Sequence, residues 1–240
     1  MNTNKNSYTI IYAIVMVAIV ALLLALVSGA LKEKQTANVE LDKKKQILSS
    51  LNVELSGQNI ESLYNQYIPG AMVINSKGET ISEDREKAFS IDIAKELSKP
   101  LEQRELPVYI ATVEEQTKYI LSVRGAGLWG PIWGYVAFNE DKNSIFGTYF
   151  AHASETPGLG AEIAGKNFQH KFIGKKIMNA DNKFVSVAVV KSGQTDTQRD
   201  YIDGISGGTI TSKGVETMLM KSIGQYEPFL KQTVTGGTEE

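Results

Sequence analysis

The chain has 240 residues, a formal net charge of −2 and no cysteine. The absence of cysteine excludes disulfides, thiolate zinc sites and iron–sulfur clusters held by this chain's own thiols. The two histidines, His152 and His170, do not have the spacing of a histidine metal motif, so no metal site is predicted and both are interpreted as structural. No basic domain and no stripe of Lys and Arg between aromatics occurs, so no nucleic-acid partner is predicted.

The N-terminal region is apolar, with no charged residue from Ser7 to Leu31. About 20 such residues in a helix cross a hydrocarbon layer of about 30 Å, so residues 1–31 are predicted to form a transmembrane anchor. A cleaved signal peptide is the alternative, since small residues at 28–30 offer a cleavage site. Its apolar region would be only about 7–15 residues long, which favours the retained anchor.

The charges around this segment predict an orientation. Only Lys5 precedes it, whereas five lysines follow closely, at positions 32, 34, 43, 44 and 45. The positive-inside rule therefore places the C-terminal part of the chain in the cytoplasm.

The remainder is predicted to consist of a helical stalk over residues 32–56 and a domain over residues 57–240. Apolar spacing predicts helices over 59–64, 83–98 and 213–230. Between them, runs rich in β-branched and aromatic residues predict strands. The predicted strands cover 71–74, 108–113, 118–123, 132–138, 145–152 and 184–190. Strands bracketed by helices indicate the α+β class, with a mostly antiparallel sheet flanked by helices.

A glycine-rich turn over residues 125–134 carries both tryptophans of the chain. Trp133 is interpreted as a core residue of the adjoining hairpin. Trp129 lies within the turn itself, where an aromatic side chain either packs locally or flanks a planar cofactor.

Two further segments combine ordinary turn chemistry with polar side chains. Residues 155–160 read E-T-P-G-L-G, a Pro-Gly turn in which Glu155 and Thr156 could contact the edge of a ring beside Leu159. Lys191 ends the apolar strand over 184–190, and it is either a solvated edge residue or the counter-charge of an anionic cofactor.

The segment from Asp203 to Ser212 reads D-G-I-S-G-G-T-I-T-S, with three glycines and four hydroxyl side chains in ten residues. It precedes the predicted terminal helix, so its backbone N–H groups could bind a phosphate at the positive end of the helix dipole. Thr211 or Ser212 is expected to cap that helix.

The same segment also contains G-x-S-x-G, the nucleophile-elbow pattern of α/β-hydrolases, which would make Ser206 a catalytic nucleophile. That chemistry requires a histidine after the serine, whereas both histidines of this chain precede it. The hydrolase interpretation is therefore disfavoured.

Four elements occur in this order along the chain: the anchor, the G-x-G-x-W-G-P-x-W-G turn, E-T-P-G-L-G and D-G-x-S-G-x-T-x-T-S. Together they resemble the NqrC family, whose members are subunits of the sodium-translocating NADH:quinone reductase. A related family is RnfG, a subunit of the Rnf electron-transport complex. The resemblance covers nearly the whole chain. The E-T-P-G-L-G element and the length of 240 residues favour NqrC.

The resemblance implies an FMN joined by a phosphoester to Thr209, attached by a flavin transferase with FAD as donor. It implies that Asp203 begins the transferase's target motif and that Gly208 replaces the family's usual alanine. The residues expected around the flavin are Ser206, Gly207, Gly208, Thr211, Glu155, Thr156, Leu159, Gly160, Trp129 and Lys191.

As a whole, the resemblance implies a single-pass subunit of a bacterial inner-membrane complex with its FMN domain on the periplasmic side, opposite to the side that the lysines indicate. Electrons would come from an iron–sulfur centre held by a pair of membrane subunits and pass to a second FMN-carrying subunit, driving sodium export. The alternatives are the Rnf-type subunit and a membrane-tethered domain that binds a ligand or assembles a complex without redox chemistry.

Overall fold

The computed structural model describes residues 6–232. The chain divides after Lys43 into two units. Helix α1, Asn6–Ser49, begins in the first unit, where its apolar side chains are exposed. By length and composition this helix could cross a membrane.

The second unit begins inside the predicted stalk. Ile47 and Leu48, in the last turns of α1, are fully buried, and Leu51 is buried just after it. The indole N–H of Trp133 donates to Oε1 of Gln46 at 3.2 Å. The last part of the predicted stalk therefore belongs to the core of the second unit.

A six-stranded antiparallel sheet forms the centre of this unit. Its strands are β1 Gly70–Ile74, β2 Thr80–Ser82, β3 Leu106–Val113, β4 Gln116–Ala126, β5 Pro131–Phe138 and β6 Ile145–His152, and they lie side by side in the order β2-β1-β3-β4-β5-β6. The α+β class and the mostly antiparallel sheet predicted from the sequence are confirmed. Two short strands, β7 Ala188–Val190 and β8 Tyr201–Asp203, form a separate parallel pair.

The helices of the second unit after α1 are mostly short. They are α2 Ile60–Tyr67, α3 Arg85–Ser90, α4 Ile93–Ser98, α5 Lys166–Gln169, α6 Thr209–Gly224 and α7 Glu227–Leu230. The single helix predicted over 83–98 is two helices, α3 and α4. The carboxylate of Asp92 accepts from the backbone N–H of Ala94 at 2.9 Å, so it starts a new helix there.

Two other predicted elements have different bounds. The strand predicted over 184–190 is paired only from Ala188, because Ser186 has a φ of 58°, outside the extended region. The terminal helix begins at Thr209 and ends at Gly224, and α7 follows it. Pro228 has no N–H to donate, which prevents one continuous helix through this point.

Helix α6 lies against β4, and two glycines allow the close approach. A Cβ on Gly214 would lie 2.5 Å from the carbonyl oxygen of Ala126, and one on Gly125 would lie 2.7 Å from Cβ of Met218. Val215 and Leu219 are fully buried in the core below the helix. This packing brings the first turn of α6 to the end of β4, where the glycine-rich hairpin begins.

Candidate functional site

The N-terminus of α6 forms the centre of the candidate site. Its N-cap is Gly208, which has no side chain to cap the free N–H groups. The expectation that Thr211 or Ser212 caps the helix is wrong, because both lie inside its first turn and are buried. A 16-residue helix that begins without a side-chain cap favours an anion at this end.

The loop before α6 turns sharply at Gly207, whose φ is +77°. A Cβ there would also lie 2.7 Å from Cδ2 of Leu159, so this position has both a conformational and a steric need for glycine. The N–H of Gly204 donates to the carbonyl of Val190 at 2.8 Å, and that of Ile205 donates to Oγ of Ser212 at 3.0 Å. These contacts fix the loop against β7 and α6.

A cavity of about 290 Å³ opens beside this loop. It brings together four of the predicted residues, Ser206, Gly207, Thr209 and Lys191, although Lys191 is distant from the others in sequence. The side chains of Thr209 and Lys191 are exposed. A hydroxyl, an ammonium group and a helix N-terminus therefore share one opening.

Lys213 also lines this cavity, and the sequence reasoning did not select it. It lies one helical turn after Thr209, at the i+4 spacing that places two residues on the same helix face. This spacing is the feature of the sequence from which Lys213 could have been predicted to lie near Thr209. Its ammonium group lies 2.5 Å from Oε2 of Glu216, and this ion pair neutralises part of its positive charge.

Glu155 is buried, with 5% of its surface exposed. One carboxylate oxygen accepts from the hydroxyl of Thr211 at 2.6 Å, and the other accepts from the N–H of Trp129 at 2.8 Å. Burial opposes ionisation of this carboxyl, but the hydrogen bonds from Thr211, Trp129 and Leu128 and the nearby His152 outweigh it and lower its pKa. Glu155 is thus an ionised group whose two oxygens are both engaged within the protein.

Large apolar side chains stand exposed around these contacts. Trp129 is 65% exposed and Leu159 is 42% exposed, while Ile210 follows Thr209 and is 60% exposed. The loop of Trp129 is held by Glu155 and by the hydroxyl of Ser154, which donates to the carbonyl of Trp129 at 2.9 Å. Exposed apolar surface on an ordered loop is typical of a binding site.

Three other predicted residues do not line the cavity: Thr156, Gly160 and Asp203. The carbonyl of Thr156 accepts from the N–H groups of Leu159 and Ala161, both at 3.1 Å, and forms the turn. A Cβ on Gly160 would lie 2.5 Å from Oγ1 of Thr211. Asp203 ends β8 with its side chain exposed, and it is not among the residues that line the cavity.

The hydrolase interpretation of Ser206 finds no base. Within residues 6–232, no hydrogen bond joins Ser206 to either histidine; Nδ1 of His152 instead accepts from the N–H of Glu155 at 3.2 Å. Ser206 therefore lacks the histidine base that the hydrolase chemistry requires.

Comparison with known proteins identifies the family. The family model of the FMN-binding domain matches residues 127–224, from the glycine-rich hairpin to the end of α6. The NqrC subunit of the Na+-translocating NADH-quinone reductase of Haemophilus ducreyi is 32% identical over 229 residues, covering 90% of this chain and 88% of that protein. The chain belongs to this family. The resemblance inferred from the motifs is confirmed.

Two further relatives in the NqrC family agree. The protein from Vibrio parahaemolyticus is 29% identical, with 86% of this chain and 87% of that protein covered. The crystal structure of the family member from Parabacteroides distasonis is 46% identical and has a TM-score of 0.78, covering 85% of this chain and 98% of that one.

The residues of the site fit an FMN group. Among the described residues, no acidic side chain lines the 290 Å³ cavity, and Lys191 and Lys213 match the negative charge of a phosphate. Trp129 and Leu159 do not line this cavity, but Leu159 lies beside Gly207, and the exposed apolar surfaces of both residues could cover a planar ring.

Proposed function

We propose that this chain is the subunit of a Na+-translocating NADH-quinone reductase that carries FMN on Thr209 and relays electrons through it. One observation carries the proposal. The hydroxyl of Thr209 stands at the first residue of α6, in a cavity that it shares with Lys191 and Lys213. A nucleophilic hydroxyl, a helix N-terminus and two cations in one cavity are the groups that would accept and hold a covalently attached phosphate.

Attachment would join Oγ1 of Thr209 to the phosphorus of the FMN half of FAD. The pyrophosphate bond breaks, AMP leaves, and the hydroxyl proton passes to solvent or to a base of a flavin transferase. Asp203, at the end of β8, and Ser206, in the loop that follows, are exposed and accessible to such an enzyme.

Each residue then has a defined role. Lys191 and Lys213 offset the charge of the phosphodiester, and the N-terminus of α6 adds its partial positive charge. The faces of Trp129 and Leu159 cover the flavin ring, while Thr156 and Gly160 hold the turn that presents Leu159. When bound, FMN supplies one-electron and hydride chemistry, and the protein positions it and tunes its potential.

The N-terminal part of α1 is proposed as a membrane anchor, since its apolar side chains are exposed and it is long enough to span. The FMN domain is proposed to lie on the periplasmic side of the inner membrane. The lysines after the segment favour the opposite side, and we propose that assembly with the other subunits overrides this bias. The proposed electron donor is an iron–sulfur centre on a pair of membrane subunits, and the acceptor is a second FMN-carrying subunit.

The experiment is expression of the full chain beside a flavin transferase, followed by intact mass and in-gel flavin fluorescence. We expect the unmodified sequence and Thr209→Ser to gain the mass of one FMN group and to fluoresce after denaturation. We expect Thr209→Val to lose both signals. Fluorescence that persists in Thr209→Val would refute the attachment site, and a chain that never gains flavin would support a non-redox assembly domain.

A further inference from the structure

Three sequence motifs of this chain meet at one carboxylate. The hairpin over 127–130 contributes the N–H of Trp129, the turn over 155–160 contributes Glu155 itself, and α6 contributes the hydroxyl of Thr211. These contacts measure 2.8 Å and 2.6 Å. The three segments carry the proposed ring contacts and the helix of the proposed attachment point, so Glu155 links the ring-contacting loops to α6.

The surroundings of Glu155 are shaped to hold a carboxylate of this length. A Cβ on Gly127 would lie 3.0 Å from Cδ of Glu155, and one on Gly160 would lie 2.5 Å from Oγ1 of Thr211. Neither position has a positive φ, so space and not backbone conformation is what requires glycine there. The absence of side chains at Gly127 and Gly160 therefore leaves the space that the Glu155–Thr211 pair occupies.

The charge of Glu155 is stabilised without an ion pair. Among the residues that the structure describes, no Lys or Arg forms an ion pair with it. His152 is a titratable neighbour: its Nδ1 accepts from the backbone N–H of Glu155, and it contributes to lowering the pKa of the carboxyl group. A buried carboxylate that is stabilised mainly by hydrogen bonds retains its negative charge, and the electrostatic effect of that charge is strong over short distances in a poorly solvated region.

We infer that Glu155 is a positioning residue that also acts electrostatically, because it fixes Trp129 relative to the first turn of α6 and holds one negative charge beside the flavin site. It acts through Trp129 and Thr211, since both of its oxygens are already engaged. This inference rests on the proposed function for its electrostatic part, whereas the positioning part concerns the protein alone.

A negative charge at this place opposes the uptake of further negative charge by a nearby group. Reduction of a flavin adds electrons, so the charge of Glu155 lowers the flavin's reduction potential. Glu155→Gln keeps the size and can still accept from Trp129, but it removes the charge. Thr211→Val keeps the charge and removes one hydrogen bond, so the two variants separate the two roles.

The first measurement uses the flavin-free full chain, Thr209→Val with Trp133→Phe, in which Trp129 is the sole indole. We expect Glu155→Ala to lower the emission anisotropy of Trp129 and to make the 127–130 hairpin sensitive to proteolysis, whereas Glu155→Gln largely preserves both. Unchanged anisotropy and proteolysis in Glu155→Ala would overturn the positioning role. This arm does not depend on whether the chain carries FMN.

The second measurement uses the flavin-loaded full chain and follows its reduction potential by spectroelectrochemistry. We expect Glu155→Gln to shift the potential to more positive values and Thr211→Val to leave it nearly unchanged. Glu115→Gln is the control, because Glu115 is exposed in the turn between β3 and β4, at the end of β4 remote from the glycine-rich hairpin, and we expect no shift from it. Equal potentials for the unmodified chain and Glu155→Gln would overturn the electrostatic role.

Discussion

Ser222 and Arg124 exchange two hydrogen bonds, although they lie on different elements. The hydroxyl of Ser222 accepts from the N–H of Arg124 at 3.1 Å and donates to its carbonyl at 3.0 Å. Ser222 is on α6 and is 2% exposed, and Arg124 is on β4. This pair ties α6 to β4 and, together with the close packing at Gly125 and Gly214, contributes to the position of Thr209.

We therefore expect Ser222→Ala to lower the free energy of unfolding by about 1–3 kcal/mol, because two backbone groups of Arg124 lose their partner. Urea denaturation checks the value. Thr217→Ala, an exposed change on the same helix, is the control and should cost under about 0.5 kcal/mol. Equal effects of the two changes would contradict the assigned role of Ser222.

The two glycines before Thr209 are expected to respond differently to alanine. Gly207→Ala forces a side chain into a positive φ, at a cost of about 1–2 kcal/mol, and also meets Leu159, so flavin attachment should fall sharply. Gly208→Ala has an ordinary φ and must only displace Ile205 and Leu159 by a few tenths of an ångström, so attachment should persist. In-gel fluorescence compares them, and a reversed order would contradict the loop geometry.

The decrease in the free energy of unfolding at acidic pH should depend on Glu155. Its folded pKa is lowered, so its ionised form stabilises the fold above about pH 4.5, the ordinary value. That contribution is lost as the pH falls through the lower folded pKa. We expect Glu155→Gln to be destabilised by about 1–3 kcal/mol at pH 7. The difference from the unmodified chain should shrink in more acidic buffer, as measured by denaturant melts from pH 7 to pH 3.

Removing the cations of the cavity should slow flavin transfer. An exposed cation contributes up to about 1 kcal/mol, so Lys191→Gln with Lys213→Gln should slow attachment by up to about 30-fold. Lys221→Gln, an exposed change on the same helix, is the control. Attachment rates are read from the growth of flavin fluorescence. Rates that stay equal in all three proteins would argue against phosphate binding in this cavity.

Much of the fold followed from local pattern. The strands β5 and β6 lie within one residue of their predicted bounds, because alternating side chains and flanking turns specify them locally. The helix over 83–98 was predicted whole, because an aspartate within an apolar period does not by itself indicate a cap. The strand before Lys191 was predicted too long, because the φ of Ser186 depends on its packing.

At the site, the sequence alone pointed to Thr209 and to the motifs around it, since glycines, hydroxyls and a following helix can be recognised from neighbouring residues. From the sequence, Glu155 is expected to contact the edge of a bound ring, and Lys213 is not predicted to belong to the site. The structure instead places Glu155 between Trp129 and Thr211, a contact between residues far apart in the chain.

The sequence by itself determined the apolar segment, the class of the fold and the hydroxyl at the head of the last long helix, because each depends on neighbours within a few residues. Only the tertiary structure decided which groups surround that hydroxyl. Lys191 lines the same cavity because β7 and β8 pair in parallel, and the three motifs meet because α6 packs on β4 through two glycines. Such meetings depend on packing between distant segments, which no local pattern specifies.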